Sequence, residues 1–305
     1  MKRLRLPAHG IALALLWLVV YARLGSFRKS TKTQPKPTEY NTASSFYTVC
    51  YAPGTQHRSQ YDGDKSFRSI SNISLRSTCH LGTEVTLVVP ENDTLCTTLA
   101  AGLPHVRVQR VTIPERNSWV MNMQEMQSAY MSATKSFETF IYFELDMFFL
   151  PGAGRYLLDI FAKSKVYFDV AYTYRGANKD GSVNTGVIFY RRVSSTFEWL
   201  NAVTSTTQVV VDEWSRDASR SAIGAGGQNQ VAIDRLGATD VPHGQIFHHV
   251  DYNVSILSLP MDVINNADRN CCSPGNALVL HFKGLAPQKQ QMLSKCCRDI
   301  LDVHA

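Results

Sequence analysis

One stretch limits the fold of this chain more than any other. Residues 139–150 read TFIYFELDMFFL, an aromatic and aliphatic run whose acidic interruptions are Glu144 and Asp146. Both ends look like buried strand, and a buried carboxylate is costly unless something compensates its charge. Ahead of it lie three shorter runs, SFYTVCYA, TEVTLVVP and HVRVQRVTI, rich in Val, Thr and Tyr and bounded by Pro, Gly or Asp, as strands of a parallel or mixed sheet would be. Between the last of these and residue 139, NSWVMNMQEMQSAYMSATKSF carries apolar residues at three- and four-residue intervals, which predicts a helix. Strand, helix, strand traffic of this kind predicts an α/β domain with a central mixed, mostly parallel sheet flanked by helices. It sets the acidic pair near the carboxyl end of a strand, where open α/β sheets place ligands.

The chain is long enough for that. Its 305 residues, 44% hydrophobic and 10% aromatic, support one large core or a core with a smaller lobe, and exclude disorder over most of the length. The formal charge of +6 is concentrated near the front, with no continuous basic stripe, so a nucleic-acid partner is excluded. The front also has its own organisation. A basic segment at 1–10 reads as a cytoplasmic tail, the apolar IALALLWLVVYA at 11–22 as a signal anchor, and the polar, Lys-, Thr- and Pro-bearing residues 23–45 as a stem. The domain at 46–305 would then be lumenal, on a single-pass type II protein of the Golgi or endoplasmic reticulum membrane. The alternative is a cleaved signal peptide, with Val20 and Ala22 before the cut, and a secreted product.

A lumenal domain makes other features consistent. Asn72, Asn92 and Asn253 each open an acceptor triplet for N-glycosylation, provided they lie on exposed loops. Of the seven cysteines, Cys79 and Cys96 are expected to close a local loop, while the doublets at 271–272 and 296–297 staple the C-terminal segment. The doublets lack the ligand spacing of ordinary zinc sites.

Residues i and i+2 of a strand share a face, so Glu144 and Asp146 would converge and be held together by a divalent cation. The bland alternative is a structural pair that caps a strand or binds a lysine. Downstream, Asn184, Thr185 and Gly186 form a small-residue turn entering the strand VIFYRR, where a ligand could approach the backbone. In GAGGQNQVAIDRLG, Asn229, Gln230 and Asp234 fall along one helix, with Gln230 and Asp234 on a shared face. No P-loop or dinucleotide fingerprint is present. Near the end, NALVLHFKG runs an apolar strand into His281, a candidate nitrogen ligand, followed by Lys283 and Gly284.

Taken in order, FIYFELDMFFLPG, YFDVAYTYR, VNTGVIFYRR, GGQNQVAIDRL and VLHFKG resemble the nucleotide-diphospho-sugar glycosyltransferases of the GT-A fold, over roughly residues 46–290. The chain looks most like their retaining, glycogenin-like and plant-cell-wall-type branches. The resemblance implies a single GT-A-like domain that moves a sugar, a UDP-sugar above all, to a glycan or glycoprotein acceptor. It implies a manganese or other divalent ion held by Asp146, His281 and Glu144. It further implies a donor pocket of Glu144, Asn184, Thr185, Gly186, Asn229, Lys283 and Gly284, with Gln230 and Asp234 as catalytic groups. Two positions depart from the family pattern: Glu144 stands where it has aspartate, and Asn229 where it has a carboxylate. The first suggests a contact to metal through water or to ribose; the second leaves Asp234, Asp212 or Glu213 to serve sugar hydroxyls. These departures also motivate a rival reading, a non-catalytic lumenal binder of nucleotide sugar or glycan on the same scaffold. A metal-dependent phosphohydrolase is the third class, though it lacks the compact acid and histidine motifs such enzymes need.

Overall fold

The computed structural model describes residues 43–51, 64–93, 95–116, 118–164, 166–174, 183–216, 227–238, 241–267, 269–282 and 297–301. The expected tail, anchor and most of the stem lie outside the described residues, as do Lys283, Gly284 and Cys296. Among the described residues no helix is long and apolar enough to cross a membrane.

Ten strands are present among the described residues: β1 Ser44–Val49, β2 Val85–Pro90, β3 Val106–Val111, β4 Thr139–Phe143, β5 Met147–Phe149, β6 Val170–Tyr174, β7 Val183–Arg191, β8 Ile246–His249, β9 Val254–Pro260 and β10 Val279–His281. The helices are α1 Asp64–Ser77, α2 Leu95–Leu99, α3 Trp119–Ala133, α4 Ala153–Lys163, α5 Ser194–Arg216 and α6 Gln228–Arg235. Eight strands form one sheet in the order β3-β2-β1-β4-β7-β6-β9-β8, and β5 and β10 pair separately. The half from β3 to β4 is wholly parallel, whereas β7 runs antiparallel to both its neighbours, so the sheet is mixed.

Burial on two faces explains the apolar run. Phe140 and Tyr142 of β4 join one core cluster with Met126 and Tyr130 of α3 and Trp199 and Val203 of α5. Ile141 and Phe143, pointing the other way, join a second cluster with Leu157 and Phe161 of α4. Successive residues are thus covered by different helical layers, the α/β arrangement that the run demands. The buried tyrosines bring hydroxyls that need partners: Tyr130 meets Ser45 at 2.8 Å, and Tyr172 accepts from Trp199 Nε1 at 2.7 Å.

Two sequence expectations are corrected here. The run at 139–150 is two strands, because the chain turns at Glu144–Asp146, where Met147 N–H donates to Glu144 C=O at 3.2 Å, and β5 then leaves the main sheet to pair with β10. The acids therefore share a turn and not a strand face. The expected Cys79–Cys96 bridge is instead Cys50–Cys96, and Cys79 is a free, exposed thiol. Parallel pairing of β1 with β2 sets Val49 opposite Val88, so the residue just after β1 comes beside the helix that follows β2. At the C-terminus Cys271 bonds Cys297, and Cys272 is disulfide-bonded too, so the expected staple is present. Of the glycosylation triplets, Asn92 and Asn253 are exposed outside regular elements, while Asn72 is exposed on α1.

Candidate active site

The strand order reverses between β1 and β4: β2 and β3 extend from one side of β1, and β4 lies on the other. In open α/β sheets a crevice forms beyond the carboxyl ends of strands at such a reversal. The turn carrying Glu144 and Asp146 leaves the carboxyl end of β4 there. Its backbone is held from both sides, since Glu144 N–H donates to Gly186 C=O at 2.9 Å and Asp146 C=O accepts from Phe282 N–H at 3.0 Å. The second bond comes from the residue after His281, so pairing of β10 with β5 delivers the imidazole to the acidic turn.

There His281 Nε2 lies 3.3 Å from Asp146 Oδ2 and 3.4 Å from Glu144 Oε2. One ligand atom from each of the three residues falls within 4.8 Å of the others. The imidazole is buried, whereas Glu144 and Asp146 keep 24% and 29% of their side-chain surface, so the cluster opens to solvent on the carboxylate side. Burial alone would push the His281 pKa down, but the Asp146 and Glu144 carboxylates prevail and raise it to about 9. Neither imidazole nitrogen has an aligned hydrogen-bond partner among the described residues despite the close carboxylates. A buried nitrogen left this way, beside two partly exposed carboxylates, fits a divalent cation. The mixed oxygen and nitrogen donors suit manganese and its neighbours better than a thiolate-seeking ion.

A hydrogen-bonded chain leads from the cluster to helix α6. Thr185 Oγ1 donates to Glu144 Oε1 at 3.1 Å and accepts from Asn229 Nδ2 at 3.1 Å and Gln230 Nε2 at 3.3 Å. Asn184, Thr185 and Gly186 belong to β7 itself, at the end nearest the site, and not to a turn that precedes it. Their strand shifts register against β6 between Tyr172 and Thr173, which is where the local irregularity expected of these small residues resides. Asp234 Oδ1 accepts from Val183 N–H at 3.4 Å, fastening α6 to the start of β7. Asp212 and Glu213 are exposed on α5, where Asp212 accepts from Gln208 at 2.7 Å and Glu213 pairs with Arg235 at 2.6 Å. Neither belongs to the carboxylate and histidine group, and Glu213 instead meets the helix that carries Gln230.

Sequence reasoning passed over Asn265. It is fully buried, sits at φ 72°, and donates from Nδ2 to Thr173 Oγ1 at 2.6 Å. The single available signal is the residue type, since asparagine enters left-handed backbone more readily than most.

No family model matches the sequence, and no curated protein matches it. Among solved structures, it is similar to a glycosyltransferase involved in glycosylation of the major capsid of PBCV-1, at 10% identity over 82% of this chain and 98% of that one, TM-score 0.47. It is also similar to the glycosyltransferase GlyE of Streptococcus pneumoniae, at 12% identity over 86% of this chain, TM-score 0.46; the match takes in 63% of GlyE, just under two thirds of its length. A third, from Desulfovibrio desulfuricans, is described as a nucleotide-diphospho-sugar transferase, at 15% identity over 71% of this chain and 79% of that one, TM-score 0.41. Similarity this distant says nothing of the reaction, so the chemistry is read from the site.

Proposed function

We propose that this chain is a glycosyltransferase that moves a sugar from a nucleotide-diphosphate sugar, a UDP-sugar in the first instance, to a glycan or glycoprotein acceptor, with retention of configuration. The observation that carries the proposal is the meeting of Glu144, Asp146 and His281 at the strand-order reversal, with Nε2 within 3.4 Å of both carboxylates. Those three residues would hold a divalent cation, manganese above all. When bound, such an ion supplies positive charge to the diphosphate that departs from the anomeric carbon.

The protein's own groups have separable tasks in this reading. Glu144 and Asp146 orient the donor's phosphates by fixing where positive charge is held, and His281 closes that position from the buried side. Thr185 ties Glu144 to α6, so the amides of Asn229 and Gln230 cannot shift without moving the acidic turn. Gln230 is placed at the reacting face of the sugar, and Asp234 anchors its helix. Lys283 and Gly284 come two and three residues after His281 in the sequence, and this reading assigns them to the donor's phosphates. Holding donor and acceptor together removes much of the entropic barrier, and a partly closed crevice limits hydrolysis. The bridges Cys50–Cys96 and Cys271–Cys297 support an oxidising, lumenal setting, with the apolar segment at 11–22 as the membrane anchor.

The test is incubation with manganese and a panel of nucleotide sugars, following nucleoside diphosphate release with and without glycan acceptors. Acceptor-dependent release that stops on chelation is expected. Binding without turnover would transfer the site to the rival reading of a lumenal binding protein, and release indifferent to every acceptor would make it a hydrolase.

A further inference from the structure

We infer that Asn229 is a positioning residue for Glu144: its amide occupies the acceptor side of the Thr185 hydroxyl, which leaves that hydroxyl's one proton for Glu144 Oε1. The consequence for a cation rests on the metal reading above, whereas the link from Asn229 to Glu144 stands on hydrogen bonds alone.

The direction of each bond in the chain is set by the one before it. Gln230 donates its backbone N–H to Asn229 Oδ1 at 3.0 Å, and a main-chain nitrogen cannot accept. The other end of the amide, 3.1 Å from Thr185 Oγ1, is therefore Nδ2, a donor with no acceptor capacity. Thr185 Oγ1 must accept there. It accepts again from Gln230 Nε2 at 3.3 Å, and two acceptances fill both lone pairs of a hydroxyl. What remains is its proton, donated to Glu144 Oε1 at 3.1 Å. Thr185 is buried, so bulk water does not compete for these bonds.

Helix formation does not call for an amide at this position. Asn229 is the second residue of α6, where the helix dipole favours a carboxylate. A carboxylate there would turn an oxygen instead of a donor toward Thr185 Oγ1, and two acids would contest the one hydroxyl proton. The amide forgoes the dipole and keeps Thr185 turned toward Glu144. The main chain holds the same approach, since Glu144 N–H donates to the C=O of Gly186, the residue after Thr185, at 2.9 Å. Among the described residues no hydrogen bond joins Asn229 to Glu144 directly, so the link between them runs through Thr185.

The measurement is a mutant cycle read by denaturant unfolding of the metal-free protein. Asn229→Ala and Glu144→Ala remove the two ends of the chain. Their effects on the unfolding equilibrium constant should be non-additive by about 3- to 10-fold, and the non-additivity should vanish in the Thr185→Val background. Manganese titration follows the consequence. Asn229→Ala should weaken manganese binding about 10-fold in the parent and add no loss to Thr185→Val, whereas Thr185→Ser, which keeps the hydroxyl, should recover most of what Thr185→Val loses. Additive effects of Asn229→Ala and Glu144→Ala on unfolding, or a coupling that persists in the Thr185→Val background, overturn the proposal. So does manganese affinity untouched by Asn229→Ala, or lowered as much with Thr185→Val as without it. Coupling through Thr185 in a parent that takes up no divalent ion leaves the link standing and sinks the metal reading instead.

Discussion

Glu144 and Asp146 approach the same imidazole nitrogen, but their restraints differ. Glu144 is also tethered through Oε1 to Thr185, while the Asp146 backbone is fastened to Phe282 of the strand that brings the histidine. The extra methylene of Glu144 is taken up by that tether, and its second oxygen still reaches within 3.4 Å of Nε2. A route to metal only through water or ribose is therefore unnecessary, and both acids are predicted to matter alike. Asp146→Asn and Glu144→Gln keep size while removing charge; each should reduce transfer by about 100-fold, the scale of roughly 3 kcal/mol of electrostatic stabilisation. Transfer kinetics on variants of unchanged melting temperature check this, and a Glu144→Gln enzyme as fast as the parent would return Glu144 to an indirect role. The histidine carries its own pH signature. Its pKa rises from the usual 6.5 to about 9 in the folded protein. The stabilisation is accordingly complete below about pH 6.5 and lost as pH rises through about 9. Metal-free protein should melt progressively lower across that window, a slope that His281→Gln should flatten; equal slopes in the two proteins would show that the carboxylates do not hold the proton there.

At the scale of elements, the separate pair β5 and β10 carries the site's one nitrogen ligand, and it is short. Its apolar support comes from Phe148, Leu150, Leu280 and Phe282 together with Cys271, Cys297 and Leu301. The Cys271–Cys297 bridge spans 26 residues of sequence and clamps this small cluster. Replacing both cysteines by serine should cost about 2–4 kcal/mol of stability. It should also weaken manganese binding, although neither sulfur touches the site. Denaturant unfolding read beside a metal titration tests both halves, and a variant that loses stability yet binds metal as before would show that β10 is held by its strand pairing alone. How far these elements were legible follows from what each depends on. Strands β1 to β4 and helix α3 announce themselves through local periodicity, because each buries a continuous face in a large core. The break after Phe143 was hidden: Leu145 and Met147 continue the apolar run, and only pairing with β10, more than a hundred residues later, draws the chain out of the sheet. Cys50 was hidden likewise, since its partner is chosen by the parallel register of β1 and β2 and not by nearness in sequence.

The whole molecule assembles this site from segments that share no local structure: the turn after β4, the first residues of β7, the start of α6, Asn265 and the end of β10. Reading the chain could bring Glu144, Asp146 and His281 together, because strand ends in an α/β sheet meet at one edge. It could not supply Asn265, whose amide is placed against Thr173 by a contact 92 residues distant in sequence. A site so dispersed exists only when the fold is complete, and this has a thermodynamic consequence. The unfolded chain cannot gather the three ligands, so a divalent ion binds the native state almost alone and must stabilise it by mass action. At about 100 times its dissociation constant the ion should add about 2.7 kcal/mol. For a domain of this size that corresponds to a rise in melting temperature of about 5–10 °C, growing with the logarithm of ion concentration. Calcium and magnesium run beside manganese would show whether the imidazole confers selectivity, since an all-oxygen preference would favour the harder ions. Asp146→Asn should lose most of the shift, and Asp212→Asn, an exposed acid on α5 outside the cluster, should keep all of it. Scanning calorimetry over a range of manganese concentrations decides the matter: a melting temperature indifferent to the ion in the parent, or a shift equally large in Asp146→Asn, would mean that the three side chains meet for a structural reason and not to hold a metal.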